Sequence, residues 1–259
     1  MSGLSSNKVK IGGGRVGGMR YERRVMQAVI FDWGGTLTPW HNADFDEMWR
    51  AYARAYAPDR AEDLTAALIE AERLMWQRAR DHQVSGTLDD LLESVGVSPH
   101  GDRHEAGLAA YQEFWAPHTL LDPDAPGLLT KLRSAGIKVG VLSNTLWTRA
   151  YHEEVFRRDG VLDLFDGAVY SSEIPWTKPH PEAFRAALRA IGDPDPQATA
   201  FVGDRLYDDI WGAQQVGMRT IFLPHSAIPA QQRGHTDGTP DATVQRLAEI
   251  TDVVSRWHD

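Results

Sequence analysis

Four short apolar runs in this chain each end on residues able to bind or transfer a charged group. The first, Ala28–Phe31, is followed by Asp32, Trp33 and the pair Gly34 and Gly35, with Thr36 close behind. The second ends in Ser143 and Asn144, and after the third comes Lys178, just before Pro179. The fourth ends in Asp204, with Asp208 and Asp209 shortly after it. A carboxylate can attack an electrophile and form a covalent intermediate that water later cleaves. Where the electrophile is itself an anion, such as a phosphate ester, the two repel, and a hard divalent cation held by oxygen ligands offsets the repulsion. Asp32 and Asp204, at adjacent strand ends, suit Mg²⁺ in that role. The chain has no cysteine, so thiol catalysis, thiolate metal sites and disulfides are excluded.

The elements that must position these groups follow from periodicity. Continuous apolar runs of strand length fit strands buried on both faces of a parallel sheet. Strands are expected at Gln27–Phe31, Ile137–Leu142, Gly167–Tyr170, Thr199–Val202 and Arg219–Leu223. Helices are expected between them at Ala125–Ser134, Thr148–Arg158, Pro181–Ile191 and Tyr207–Val216, with a closing helix at Val244–Val254. Alternation of this kind gives βαβ units with right-handed crossovers, the α/β class with a Rossmann-like parallel sheet. In such sheets the chemistry sits beyond the carboxyl ends of the strands, where all four polar groups fall.

Between the first two strands the pattern is helical throughout. Phe45, Met48, Trp49, Tyr52 and Tyr56 recur at steps of three and four, as do Leu64, Leu68, Ala71, Leu74 and Met75, and Leu108, Tyr111, Phe114 and Trp115. Thr87 reads as the cap of a shorter helix to Leu92. The expected organisation is a core of residues 25–39 and 119–259, an inserted helical-bundle cap at 40–118, and a disordered basic, glycine-rich tail at 1–24.

Charge is unevenly spread. The tail carries net +5, so the remainder of a chain of net charge −9 carries −14. An acidic body argues against nucleic-acid binding, which leans on phosphate contacts from a basic face. No apolar run approaches the roughly 20 residues that span a bilayer, so a cytoplasmic protein acting on a small molecule is expected; oligomeric state is not readable. Gly12, Gly14 and Gly17 match a dinucleotide-binding fingerprint, but the strand ending at Asp32 begins too soon to leave room for its helix.

The four clusters, in this order and each at a strand end or helix start, resemble the haloacid dehalogenase-like (HAD) hydrolase superfamily over about residues 26–250. The resemblance implies a Mg²⁺-dependent phosphatase acting on a small phosphomonoester through an aspartyl-phosphate at Asp32. It implies Asp32, Asp204, Asp209 and the backbone carbonyl of Gly34 as metal ligands, with Asp208 an adjacent alternative to Asp209. Ser143 would donate to a phosphate oxygen and Lys178 would neutralise developing charge, both as catalytic groups. Thr36 and Asn144 complete the phosphate-binding set with them.

One position departs from the pattern. Most phosphatases of the superfamily place a second aspartate two residues after the nucleophile as general acid and base, and this chain has Gly34. The alternatives are a 2-haloacid dehalogenase-type hydrolase, which needs no metal, and a catalytically impaired binding protein. A Schiff-base lysine from the cap is excluded, because residues 39–118 contain no lysine. His41, at the junction of core and cap, is one candidate to replace the missing acid. Trp40, Trp76, Arg78, Arg80 and His82 are candidates to face the pocket.

Overall fold

The computed structural model describes residues 25–41, 43–224 and 236–258; the basic tail lies outside them. Six parallel strands form one sheet in the order β3-β2-β1-β4-β5-β6. They are β1 (Ala28–Phe31), β2 (Lys138–Ser143), β3 (Gly167–Tyr170), β4 (Thr199–Gly203), β5 (Arg219–Phe222) and β6 (Ala242–Thr243). β1 lies between β2 and β4, with Val29 beside Val139 on one side and Ala200 on the other. Its residues alternate between two apolar cores. Ala28 and Ile30 join Phe184, Leu188 and Phe201, while Val29 and Phe31 join Val141, Val202 and the core on the opposite face. With both faces covered, every residue of β1 is buried.

Among the described residues, four helices form a bundle between β1 and the crossover helix that leads into β2: α1 (Phe45–Tyr56), α2 (Ala61–His82), α3 (Leu88–Ser94) and α4 (Asp102–Trp115). Asp44 caps α1 by accepting from the backbone N–H groups of Asp46 and Glu47. Thr87 caps α3 in a reciprocal box with Asp90. α1 packs on both α2 and α4, burying Met48, Trp49, Tyr52 and Ala53. The bundle is tied to the loops beyond the strand ends, where Leu88 N–H donates to Leu146 (3.0 Å) and Trp147 Nε1 donates to the Tyr111 hydroxyl (2.7 Å).

The crossover helices are α5 (Ala125–Ser134), α6 (Arg149–Arg158) and α7 (Pro181–Ala190). Three expectations need correction. The helix expected at Tyr207–Val216 is instead a widened π-helical segment, Leu206–Trp211, running into a single turn, α8 (Gly212–Gln214). The Arg205 carbonyl accepts from both Asp209 N–H (3.1 Å) and Ile210 N–H (3.2 Å), which opens the turn at a residue of the site. The closing helix starts later than Val244, as α9 (Ile250–His258). The sixth strand falls in a segment that reads as irregular. Two residues carry no periodicity; Asp241, accepting from Thr220 N–H and Oγ1, positions them beside β5.

Candidate active site

β1 and β4 run in register, and Asp32 N–H continues the ladder to Val202 (2.9 Å), so Asp32 and Asp204 leave the sheet side by side. Asp209 folds back under the end of β4, its Oδ2 accepting from Arg205 N–H at 2.9 Å. A β-carbon on Gly203 would lie 2.3 Å from the Asp209 Cγ, so only glycine admits this approach. Lys178 arrives from the loop after β3. Asn144, at the end of β2, grips its backbone on both sides, accepting from Lys178 N–H (2.8 Å) and donating to its carbonyl (3.1 Å). The Lys178 Nζ then donates to Asp32 Oδ1 at 2.5 Å and to Asp209 Oδ1 at 2.7 Å. Thr36 Oγ1 donates to Asp32 Oδ2 at 3.2 Å, so both oxygens of Asp32 are oriented.

Asp32, Thr36, Lys178, Asp204 and Asp209 are buried, and Asn144 is half-buried. Burial pushes the Asp32 carboxyl up, and Lys178 pulls it back only in part. Burial acts against the charge on Lys178 too, but Asp209 and Asp32 outweigh it and raise its ammonium above the ordinary lysine range. Asp204 is pushed up to about 8, by burial first and then by the charges of Asp32 and Asp209. Its Oδ2 accepts from Trp40 Nε1 at 2.6 Å, while its buried Oδ1 has no hydrogen-bond partner among the described residues. Carboxylate oxygens of Asp32, Asp204 and Asp209 all lie within 4.8 Å of one another. An all-oxygen, over-acidic set with an orphaned buried lone pair fits a hard divalent cation such as Mg²⁺.

This electrostatic imbalance gives an expectation independent of activity. A carboxyl whose folded pKa is raised favours its protonated form, so the metal-free fold loses stability as pH rises from about 4 towards 8. A cation must displace that proton, so its effect grows with pH. At pH 8.5, Mg²⁺ at about a hundred times its dissociation constant should raise the melting temperature by about 5–10 °C, and by clearly less at pH 6. A thermal melt with no Mg²⁺ shift at pH 8.5 would refute the assignment of a cation to these three aspartates.

A family model for haloacid dehalogenase-like hydrolases matches residues 26–217, which span all of these groups. The chain belongs to the HAD-like hydrolases. Among its HAD relatives, a glyceraldehyde 3-phosphate phosphatase of Methanopyrus kandleri is 29% identical over 89% of this chain and 97% of its own. A phosphoglycolate phosphatase of Cereibacter sphaeroides is 30% identical over 86% of this chain and all of its own. The solved structure of a 2-haloacid dehalogenase from Pseudomonas syringae superposes with a TM-score of 0.61 at 26% identity, over 90% of this chain and all of that one.

In this HAD chain the site opens into a cavity of about 540 Å³ between the strand ends and the helical bundle. Asp32, Gly34, Ser143, Asn144 and Lys178 all line it. Of the bundle-side candidates, Trp40, Trp76 and Arg80 line it as well, whereas Arg78 and His82 do not. His41 lines it with its Nε2 buried and without a hydrogen-bond partner among the described residues, its ring centroid 5.7 Å from that of His118. Two readings change. Asn144, expected at the phosphate, has its amide turned to the Lys178 backbone and acts as a positioning residue. Asp208 falls outside the three-carboxylate cluster, 3.4 Å from Arg205. Sequence reasoning missed the Trp40 hydrogen bond to Asp204, and it missed Arg205, whose guanidinium lies 5.5 Å over the Trp40 ring. Gly35 is the signal that was available. It holds φ +91°, and a β-carbon there would sit 2.1 Å from the Trp40 indole nitrogen.

Proposed function

We propose that this chain is a Mg²⁺-dependent phosphatase that hydrolyses a small phosphomonoester through an aspartyl-phosphate at Asp32. The observation that carries the reading is the placement of Asp32, held on one oxygen by Lys178 and on the other by Thr36, inside a three-carboxylate cluster at one strand edge. The phosphatase names of the relatives support it. Mg²⁺, when bound by Asp32, Asp204 and Asp209 with the Gly34 carbonyl, would lower the repulsion between nucleophile and phosphate.

An Asp32 carboxylate oxygen attacks phosphorus, the ester P–O bond breaks, and the leaving alkoxide takes a proton from water. Water then attacks the same phosphorus, returning the carboxylate and releasing inorganic phosphate. Lys178 supplies fixed positive charge beside the transferring group, and its salt bridge to Asp209 stops it from following one partner. Ser143 would donate to a phosphate oxygen from the end of β2. Residues 40–118 act as a cap that keeps bulk water from the acyl-phosphate and selects the leaving group.

The test is turnover of p-nitrophenyl phosphate. Activity is expected with Mg²⁺ and should fall at least about 10²-fold with a chelator, since the cluster would again repel its substrate. Absence of turnover with Mg²⁺ would refute the reading. Halide release from 2-chloropropionate that survives chelation would replace it with the dehalogenase reaction.

A further inference from the structure

We propose that the cap side of the cavity is an aromatic box closed by Glu72, and that it takes the ammonium end of an amino-alcohol phosphate. Glu72 projects from α2 into the cavity wall. Its Oε2 accepts from Trp49 Nε1 at 2.7 Å and its Oε1 from Trp76 Nε1 at 3.4 Å. No ion pair reaches it among the described residues, and burial pushes its carboxyl up with only the two indoles opposing. A carboxylate held by neutral donors, in contact with a ligand cavity, lacks its counter-charge.

The walls around it are π surface. Phe45, Trp76, Tyr111, Trp115 and Trp147 line the same cavity. Phe45 and Trp147 lie 5.7 Å and 5.2 Å from Trp115, and Trp33, next to the nucleophile, lies 5.4 Å from Trp147. The polar handles of Trp76, Trp115 and Trp147 are already engaged, whereas Trp33 Nε1 is buried with no hydrogen-bond partner among the described residues. Trp147 Nε1 donates to Tyr111, and Trp115 Nε1 donates to the Met48 sulfur at 3.0 Å. The box therefore offers ring surface and one carboxylate, a combination that binds an alkylammonium ion by cation–π attraction and charge. An anion at this wall would meet Glu72.

The charges are also arranged along one axis. Lys178 and Arg205 stand at the strand-edge end of the cavity, where a phosphate would sit, and Glu72 stands in the cap. Arg80 and Asp81 are exposed, and Arg80 lies about 12 Å further along α2 at 1.5 Å rise per residue. His118, which also lines the cavity, is pushed towards its neutral form by burial and by His41. A ligand anionic at one end and cationic at the other matches this polarity. The phosphate end of the argument rests on the phosphatase reading; the box does not.

The test compares choline phosphate with 3,3-dimethylbutyl phosphate, which has the same shape but carbon in place of nitrogen. Binding is measured calorimetrically with Mg²⁺ on the full chain carrying Asp32→Asn, so that no ligand is consumed. Because the phosphate is common to both, the affinity ratio isolates the charge. Choline phosphate should bind at least about tenfold tighter, and adding Glu72→Gln should bring the ratio to within about twofold. Should that variant not fold, Trp76→Leu removes one ring and should lower the same ratio. A ratio below about threefold without the cap substitution, including no binding of either ester, overturns the proposal, and so does a ratio that survives the cap substitution. Turnover of p-nitrophenyl phosphate by the unaltered chain without the preference refutes the box alone. The preference without any turnover refutes the phosphatase reading alone.

Discussion

Asp32→Asn is expected to abolish turnover and at the same time to raise the melting temperature. The amide keeps the shape of the carboxylate: its oxygen can still accept from Lys178 and its NH2 can donate to the Thr36 hydroxyl oxygen, but it does not form the covalent intermediate. Loss of a nucleophile costs on the order of 10⁴-fold or more in kcat. Stability should move the other way. Burial disfavours the ionised form of Asp32 despite Lys178, and its charge opposes those of Asp204 and Asp209 in the same cluster. Removing that charge leaves Lys178 still paired with Asp209 at 2.7 Å. A gain on the order of 1 kcal/mol corresponds to about 2–4 °C at this chain length. The sign with pH is a further check. A raised folded pKa means the penalty exists only once the carboxyl ionises, so the gain should be larger at pH 8 than at pH 5. Calorimetric melts of the metal-free proteins at both pH values, beside steady-state turnover, test both halves. Retained activity above about 1% removes Asp32 as nucleophile, and a lower melting temperature at pH 8 removes the cluster electrostatics argued here.

The contrast between what was legible in the sequence and what was not has a physical basis. Strands β1, β2 and β4 announce themselves because nearly all of their residues are buried on both faces, which forces continuous apolar runs such as Ala28–Phe31. The strand-end groups are legible for the same reason: a polar residue after such a run falls at the sheet edge. Whatever depends on contacts across long separations was invisible. Trp40 meets Asp204, and Glu72 meets Trp49, through packing between elements that no local period encodes. Asn144 shows the same limit, since its position was evident while its partner, the Lys178 backbone, was not. The π-turn at Leu206–Trp211 escaped because its apolar spacing is also compatible with an ordinary helix. β6 is two residues long and owes its place to Asp241 and Thr220 rather than to any pattern of its own.

The largest expected gain comes from Gly34→Asp, and its form identifies what the chain lacks. The two adjacent glycines differ sharply. At Gly35 the backbone has φ +91° and a β-carbon would collide with Trp40 and Asp204, so that position admits no side chain. At Gly34 a β-carbon would meet nothing within 4 Å, and its φ lies outside the left-handed region, so an aspartate enters without backbone strain. It would stand in the cavity two residues after the nucleophile, able to protonate the leaving oxygen. General acid catalysis is worth about 10²–10⁴-fold, but only where the leaving group needs the proton. p-Nitrophenolate leaves readily without one, whereas an alkoxide does not. The chain with Gly34 should therefore strongly prefer p-nitrophenyl phosphate over an alkyl phosphate. Gly34→Asp should raise kcat/KM for the alkyl ester by about 10²–10⁴-fold and for the aryl ester by less than about tenfold. The added negative charge near Asp32 and Asp204 works against substrate binding, so the gain should appear in kcat and not in KM. If the chain with Gly34 already cleaves both esters at similar rates and the aspartate adds nothing, a proton donor is present. His41, in the cavity with its Nε2 unpartnered among the described residues, is then the residue to replace next.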